Sequence, residues 1–172
     1  MRKILSAVVV AGFVLAAMGG VAEAKDMTNM KGVGWYNQEA PIGGILWFGP
    51  KMGITAGIGF DKFDDGNDAT EEDTSINVAG AIPIVLAGTD NVNFMFRPGI
   101  VYKNKPGAGI DNSFEVDADL AVELWLTDRC SVLAGHGIHF ESESPAVGDS
   151  ETSIGTHAIS ASEVGFYFYF MK

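Results

Sequence analysis

From Ser113 to Thr127 the chain alternates without interruption. Phe114, Val116, Ala118, Leu120, Val122, Leu124 and Leu126 fall on one parity, while Glu115, Asp117, Asp119, Ala121, Glu123 and Trp125 fall on the other. Successive side chains of a β-strand leave opposite faces of the sheet, whereas an α-helix repeats about every 3.6 residues. The segment therefore predicts a strand with one wholly apolar face and one largely acidic face. It is longer than the roughly five or six residues usual in soluble strands. A chain that contains such a strand must give its two faces two different surroundings.

The same period returns elsewhere. Ile54, Ala56, Ile58 and Phe60 oppose Gly53, Thr55, Gly57, Gly59 and Asp61; Ile76, Val78, Ile82, Ile84 and Leu86 oppose Asn77, Ala79 and Ala81; Val92, Phe94, Phe96 and Ile100 oppose Asn93, Met95, Arg97 and Gly99. Helical spacing is nowhere sustained, so the chain is predicted to be all-β. Eight strands are expected, over Lys31–Asn37, Ile42–Phe48, Met52–Phe63, Thr74–Ala87, Val92–Lys103, Ser113–Thr127, Ser131–Glu143 and Gly155–Phe170. Tight turns at Gly49–Lys51, Gly88–Asn91 and Asp128–Cys130 alternate with longer polar segments at Asp64–Asp73, Asn104–Asn112 and Ser144–Ser153. The connection Gln38–Pro41 is short for that pattern. Short turns at one end and long loops at the other are the plan of an antiparallel up-and-down barrel that crosses a membrane.

Alternation alone does not decide the solvent, because a soluble barrel of the lipocalin kind turns its apolar face inward. Three features favour the membrane. Several strands exceed the roughly 9 to 11 residues of a tilted span. The polar parity is crowded with glycine and alanine, which suits the narrow interior of eight strands. The chain also ends on Val164-Gly165-Phe166-Tyr167-Phe168-Tyr169-Phe170-Met171-Lys172, aromatics suited to an interface belt. The soluble secreted barrel is the alternative.

The first residues read as an export signal. Arg2 and Lys3 precede an apolar run from Ile4 to about Ala17, and Ala22-Glu23-Ala24 places small residues at peptidase spacing. Residues 1–24 are thus expected to be removed, leaving one domain over 25–172. The whole chain has 11 Lys and Arg against 22 Asp and Glu, a net charge of −11, and the processed chain would carry −12. Nucleic acid as a partner is excluded by the missing basic footprint. A lone Cys130 allows neither an intramolecular disulfide framework nor a cysteine zinc cluster. Beyond residue 24 no apolar run reaches the roughly 18 residues of a membrane helix.

The segment Gly44-Ile45-Leu46-Trp47-Phe48-Gly49-Pro50-Lys51-Met52-Gly53-Ile54-Thr55-Ala56-Gly57-Ile58-Gly59-Phe60 resembles the first full hairpin of the small outer-membrane β-barrel proteins, the group that includes the OmpA membrane domain and OmpX. Phe166, Phe168 and Phe170 are similar to that group's C-terminal assembly signal, although Met171 and Lys172 follow where the group usually ends on an aromatic residue. The resemblance spans nearly all of residues 25–172. It implies a Gram-negative outer-membrane location, contact with membrane lipid and lipopolysaccharide, insertion by the β-barrel assembly machinery, and a monomer.

Inside such a barrel, loop lengths place Arg97 opposite about Asp119, and Asp119 opposite about His139. Glu115, Asp117, Glu123, Lys103 and Glu163 share their parity, giving an interior network richer in acids than bases. Buried charges must be paired or hydrated, and eight strands leave an interior that side chains nearly fill. A polar, largely plugged lumen is expected. Pro83 and Pro98 fall inside strands at similar heights, which predicts a shared bulge, and His136 falls on the lipid parity.

Three function classes follow. The first is a structural, envelope-integrity or surface-recognition protein with no enzyme activity and no cofactor. The second is a narrow porin-like conduit. A lipid A-modifying barrel enzyme is the third, and it would draw on His139, Glu141, Ser142, Glu143 and His157, which repeat no recognised catalytic spacing. The acidic segment Asp64–Asp73 lacks the D-x-[DN]-x-[DN]-G calcium pattern and reads as a solvated loop. No phosphate loop, metal pair at helical spacing or nucleophile elbow is present.

Overall fold

The structure, a computed structural model, describes residues 24–35, 40–63, 73–104, 110–145, 148–156 and 163–171. The expected signal segment up to residue 23, most of the acidic segment after Phe63 and His157 lie outside the described residues. Among the described residues ten strands form one sheet: β1 Lys31–Trp35, β2 Ile42–Trp47, β3 Gly53–Phe63, β4 Asp73–Ala81, β5 Ile84–Gly88, β6 Val92–Asn104, β7 Ile110–Thr127, β8 Cys130–Pro145, β9 Glu151–Thr156 and β10 Glu163–Met171. Neighbours are antiparallel, and β10 closes the sheet by pairing with both β1 and β8. Two strands are split, β4 with β5 and β9 with β10, so the barrel wall has eight staves.

The pairings fix the barrel's shape. Val92 leads through Leu124, Val132, Phe166, Trp35, Ile42, Ile58 and Val78, each opposite the next, back to β6 at Tyr102, ten residues above the start. A shear of ten over eight strands, with a rise of about 3.3 Å and a spacing of about 4.8 Å, tilts the strands by about 41°. Each residue then climbs about 2.5 Å along the barrel axis.

Burial alternates as the sequence parity predicts and gives each face its solvent. Ile58, Phe60, Val78, Ile100, Val116, Leu120, Leu124 and Phe168 face outward and are exposed, whereas Thr55, Asn77, Asn93, Arg97, Lys103, Glu115, Asp117, Asp119 and Glu123 face inward and are buried. On β7 the outward apolar residues run from Phe114 to Leu126, a height of about 30 Å at that tilt and close to the thickness of a bilayer's hydrocarbon layer. A lipocalin-like barrel requires the reverse arrangement.

Several expectations need correction. The fourth stave breaks at Ile82 and Pro83, yet its register against β6 is unchanged across the break, because Ala81 pairs Gly99 and Ile84 pairs Phe96. The two prolines therefore share no bulge. Ile82 N–H donates to the Pro98 carbonyl at 2.9 Å, Gly53 N–H donates to the Pro83 carbonyl at 3.1 Å, and neither proline can return the bond. The register shift lies later, between Val85 and Ala87. The eighth stave is also interrupted: β9 and β10 pair with β8 in registers that differ by four residues, so the strand expected from Gly155 is not one continuous pairing. The segment expected as a loop from Ser144 to Ser153 is shorter, since β8 continues to Pro145 and β9 begins at Glu151. Tyr167 and Tyr169 do not join an interface belt; they point inward and are buried.

Candidate functional site: a stratified lumen

The inward parity of each stave lines a single lumen, and its residues sort by height. Those near the tight turns are mainly apolar and aromatic: Trp47, Val85, Met95, Trp125, Leu133, Tyr167 and Tyr169 form one buried cluster. Trp125 and Tyr169 rings lie 4.7 Å apart, and Tyr167 lies 6.2 Å from Tyr169. Gly53 makes room for the Trp47 indole, since a Cβ there would meet the ring at 3.1 Å and the Leu46 carbonyl at 2.8 Å. One carboxylate is embedded in this layer. Glu123 Oε1 accepts from Ser131 Oγ at 2.7 Å and from Tyr169 OH at 2.9 Å, and Oε2 accepts from Asn93 Nδ2 at 3.0 Å. Three donors on three strands thus fix one buried acid.

Toward the loops the lumen becomes charged. Arg97 stands directly opposite Asp119 across β6 and β7, and both are 1% exposed. Lys103 Nζ donates to Glu115 Oε2 at 3.0 Å and to Glu141 Oε1 at 3.4 Å. Glu115 and Glu141 face each other across β7 and β8, so the lysine bridges two carboxylates and offsets their mutual repulsion. His139, expected opposite Asp119, stands instead opposite Asp117. The cause is the turn: only Asp128 and Arg129 lie between β7 and β8, with a register shift between Trp125 and Thr127, which moves the hairpin's centre. Glu163 opens β10 opposite Gly135.

Glycines on neighbouring strands accommodate these charges. A Cβ at Gly99 would run into the Asp117 carboxylate, one at Gly137 into the Ala118 carbonyl and Asp119, and one at Gly155 would meet His139 Cε1 at 3.2 Å. Large beside small is how a barrel this narrow fills its interior.

The residues considered for catalysis do not share a face. His139, Glu141 and Glu143 have inward parity, whereas Ser142, opposite Phe114, has outward parity. The sheet itself separates the hydroxyl from the imidazole. Among the described residues no group of three or more His, Cys, Asp or Glu side chains is placed to hold a metal ion. His136 remains exposed on the outward face opposite Leu120, and its own pairing with β7 is regular there, so no bulge displaces it.

Phe166, Phe168 and Phe170 project outward from β10, exposed, with Phe166 and Phe168 edge to face at 5.7 Å. Met27 and Met30 are members of the lumen that sequence reasoning misses altogether. They precede β1, carry no alternating pattern, and are 0% and 5% exposed within the turn-end cluster.

No protein-family model and no curated protein sequence matches the chain. Among solved structures it is similar to a major outer membrane protein from Thermus thermophilus, at 14% identity and a TM-score of 0.38, over 82% of this chain and 97% of that one.

Proposed function

We propose that the chain is an integral outer-membrane β-barrel protein of a Gram-negative envelope, with a structural, envelope-integrity or surface-recognition role and a plugged lumen. One observation carries the reading: the closed barrel is apolar outside over about 30 Å of height and charged inside. Water cannot be the solvent of that outer face, because contiguous exposed apolar patches on soluble proteins rarely exceed a few hundred Å². In lipid a closed barrel satisfies its backbone within the sheet.

In this role the barrel is a monomeric anchor without enzyme activity. Its partners are outer-membrane lipid and lipopolysaccharide, together with the β-barrel assembly machinery that reads the aromatic end of β10. Neither nucleic acid nor a cofactor belongs to it. The apolar layer at the turn end supports a plugged lumen over a porin-like conduit, and Ser142 on the opposite face from His139 supports a non-enzymatic role over lipid A modification.

Outer-membrane fractionation, followed by electrophoresis of boiled and unboiled samples, tests the reading. The protein should appear in the outer membrane with heat-dependent mobility. Recovery only from soluble periplasm, with one mobility in both samples, would overturn it.

A further inference from the structure

The tight turn between β7 and β8 presents a cation whose backbone is fixed and whose side chain is not. Arg129 N–H donates to Thr127 Oγ1 at 3.2 Å, and its carbonyl accepts from Tyr169 N–H at 2.8 Å. The residue is exposed, and its guanidinium makes no ion pair among the described residues. It stands at a cleft of about 240 Å³ beside Phe170, where the buried Met30 and Tyr169 also form part of the lining. Lys25 lines the same cleft but is already engaged, 4.0 Å above the centre of the Trp125 ring and 3.4 Å from Asp128. Asp26 is engaged too, since its Oδ1 accepts the Thr28 N–H at 2.9 Å. Among the described residues that line the cleft, Arg129 is thus the cation left for a ligand.

Phe170 connects this cleft to the outer face of the barrel. It projects outward at the turn end of the apolar band, 57% exposed, as Leu126 does on β7. The register of β1 against β10 shifts between Lys31 and Gly32, so Phe170 is the extra residue between Tyr169, opposite Gly32, and Met171, opposite Lys31. Lys31 shares the outward parity of Val33, is exposed, and makes no ion pair among the described residues. An outward ring at the edge of the apolar band is therefore bracketed by Lys31 on one neighbouring strand and by Arg129 in the turn on the other side. Aromatic rings sit at the headgroup level of a bilayer, and a guanidinium matches the oxygens of a phosphate group in a bidentate way.

Size and charge narrow the ligand. The cleft is smaller than the roughly 300–1,000 Å³ of pockets that enclose whole small molecules, so it takes a headgroup while acyl chains stay on the outer face. Around it Lys25, Lys31 and Arg129 stand against Asp26 and Asp128, and the expected removal of residues 1–24 would add the Lys25 α-ammonium. This end of the barrel attracts an anion.

We propose that Arg129 and Lys31 hold the phosphodiester of one glycerophospholipid at the turn end, with its headgroup in the cleft and an acyl chain along Phe170. The proposal rests on the membrane-barrel reading and adds to it a defined lipid site, the group that the site recognises and the two cations that carry the recognition.

The test is native mass spectrometry of the full processed chain, refolded and released from a neutral detergent, with dioleoyl phosphatidylglycerol as the probe. Dioleoylglycerol, which lacks the phosphate, and glycerophosphoglycerol, which lacks the chains, are the comparison ligands. The parent should retain one phosphatidylglycerol and neither comparison ligand. Retention of glycerophosphoglycerol would reveal a site for free phosphate esters, retention of dioleoylglycerol a merely apolar one, and either would overturn the proposal. Arg129→Gln and Lys31→Gln, made separately, should each weaken retention about tenfold, the loss of one hydrogen bond to a charged group. Lys51→Gln removes an exposed cation from the β2–β3 turn at the same end and should leave retention unchanged. An Arg129→Gln or Lys31→Gln variant that binds as the parent does, or a Lys51→Gln variant that loses as much as they do, would overturn the site in favour of diffuse attraction. The three ligands compared on the parent alone still decide the matter should a variant not fold. A parent without heat-dependent mobility would instead sink the membrane reading, whereas a heat-modifiable parent that retains no phosphatidylglycerol sinks the site alone.

Discussion

Replacing Glu123 should distinguish a buried acid that organises the lumen from one that merely occupies it. Glu123→Ala removes the acceptor from Asn93, Ser131 and Tyr169, three donors on β6, β8 and β10 that hold it at 2.7–3.0 Å. Hydrogen bonds to a charged group contribute about 1.5–3 kcal/mol each, and a buried donor left unsatisfied costs about 1–3 kcal/mol. The three share one acceptor and water can enter the space left behind, so their effects will not add fully, and a net loss of about 3–5 kcal/mol is expected. Glu123→Gln is the instructive control. Its carbonyl oxygen can serve Ser131 and Tyr169, while its amide meets the Asn93 side chain. Asn93 Oδ1 has no hydrogen-bond partner among the described residues, so rotating that amide converts a donor–donor conflict into a hydrogen bond. The glutamine variant should therefore lose only about 1 kcal/mol. Urea unfolding in lipid vesicles, followed by tryptophan fluorescence and by the mobility of unboiled samples, measures both. Equal midpoints for the two variants, or an alanine variant within about 0.5 kcal/mol of the parent, would refute the reasoning.

Other substitutions probe the remaining layers by the same assay. Lys103→Met strands Glu115 and Glu141 facing each other without their shared cation and should destabilise by about 3–5 kcal/mol, as breaking a buried ion pair does; adding Glu115→Gln should recover part of that loss. Leu120→Arg, midway along the outward face of β7, should cost about 2–4 kcal/mol, and Leu126→Arg, beside the turn, about 0–1 kcal/mol. Equal costs at the two depths would argue against a bilayer around that face. Gly137→Ala drives a Cβ into the Ala118 carbonyl and Asp119 and should cost about 2–3 kcal/mol, while Gly49→Ala, with nothing within 4 Å, should be neutral.

Period-two alternation carried most of the fold. It marked both faces of β3, β6 and β7 because large apolar residues there alternate along the strand with mainly small or polar ones. It failed where pairing depends on partners distant in the chain. Nothing local in Gly155–Phe170 announces that β9 and β10 meet β8 in different registers. The prolines show a related limit: Pro83 and Pro98 are at adjacent heights, but an unchanged register across the break is a property of three strands together. For the site, parity placed Arg97, Asp119 and Glu123 inside without revealing the layers. Trp47, Trp125, Tyr167 and Tyr169 share the inward parity near the turns, yet the expectation of an interface belt at the chain's end hid the aromatic layer that Tyr167 and Tyr169 form inside. Met27 was not legible at all, because a segment outside the strands has no period to read.

The stratification also reconciles a polar interior with a lipid surface. If both faces of β7 were as apolar as its outward one, the strand would form a continuous apolar run of about 15 residues, approaching the length of a membrane helix. If the chain is exported as proposed, such runs would risk arrest in the first membrane it crosses. Glu115, Asp117, Asp119 and Glu123 break the run at alternate positions, keeping mean hydropathy over the whole chain at +0.17 while leaving the outer face untouched. Those acids must then be buried together, which creates the need for Arg97, Lys103 and the donors around Glu123. On that proposed route the charged lumen serves the passage of the chain as well as its final fold.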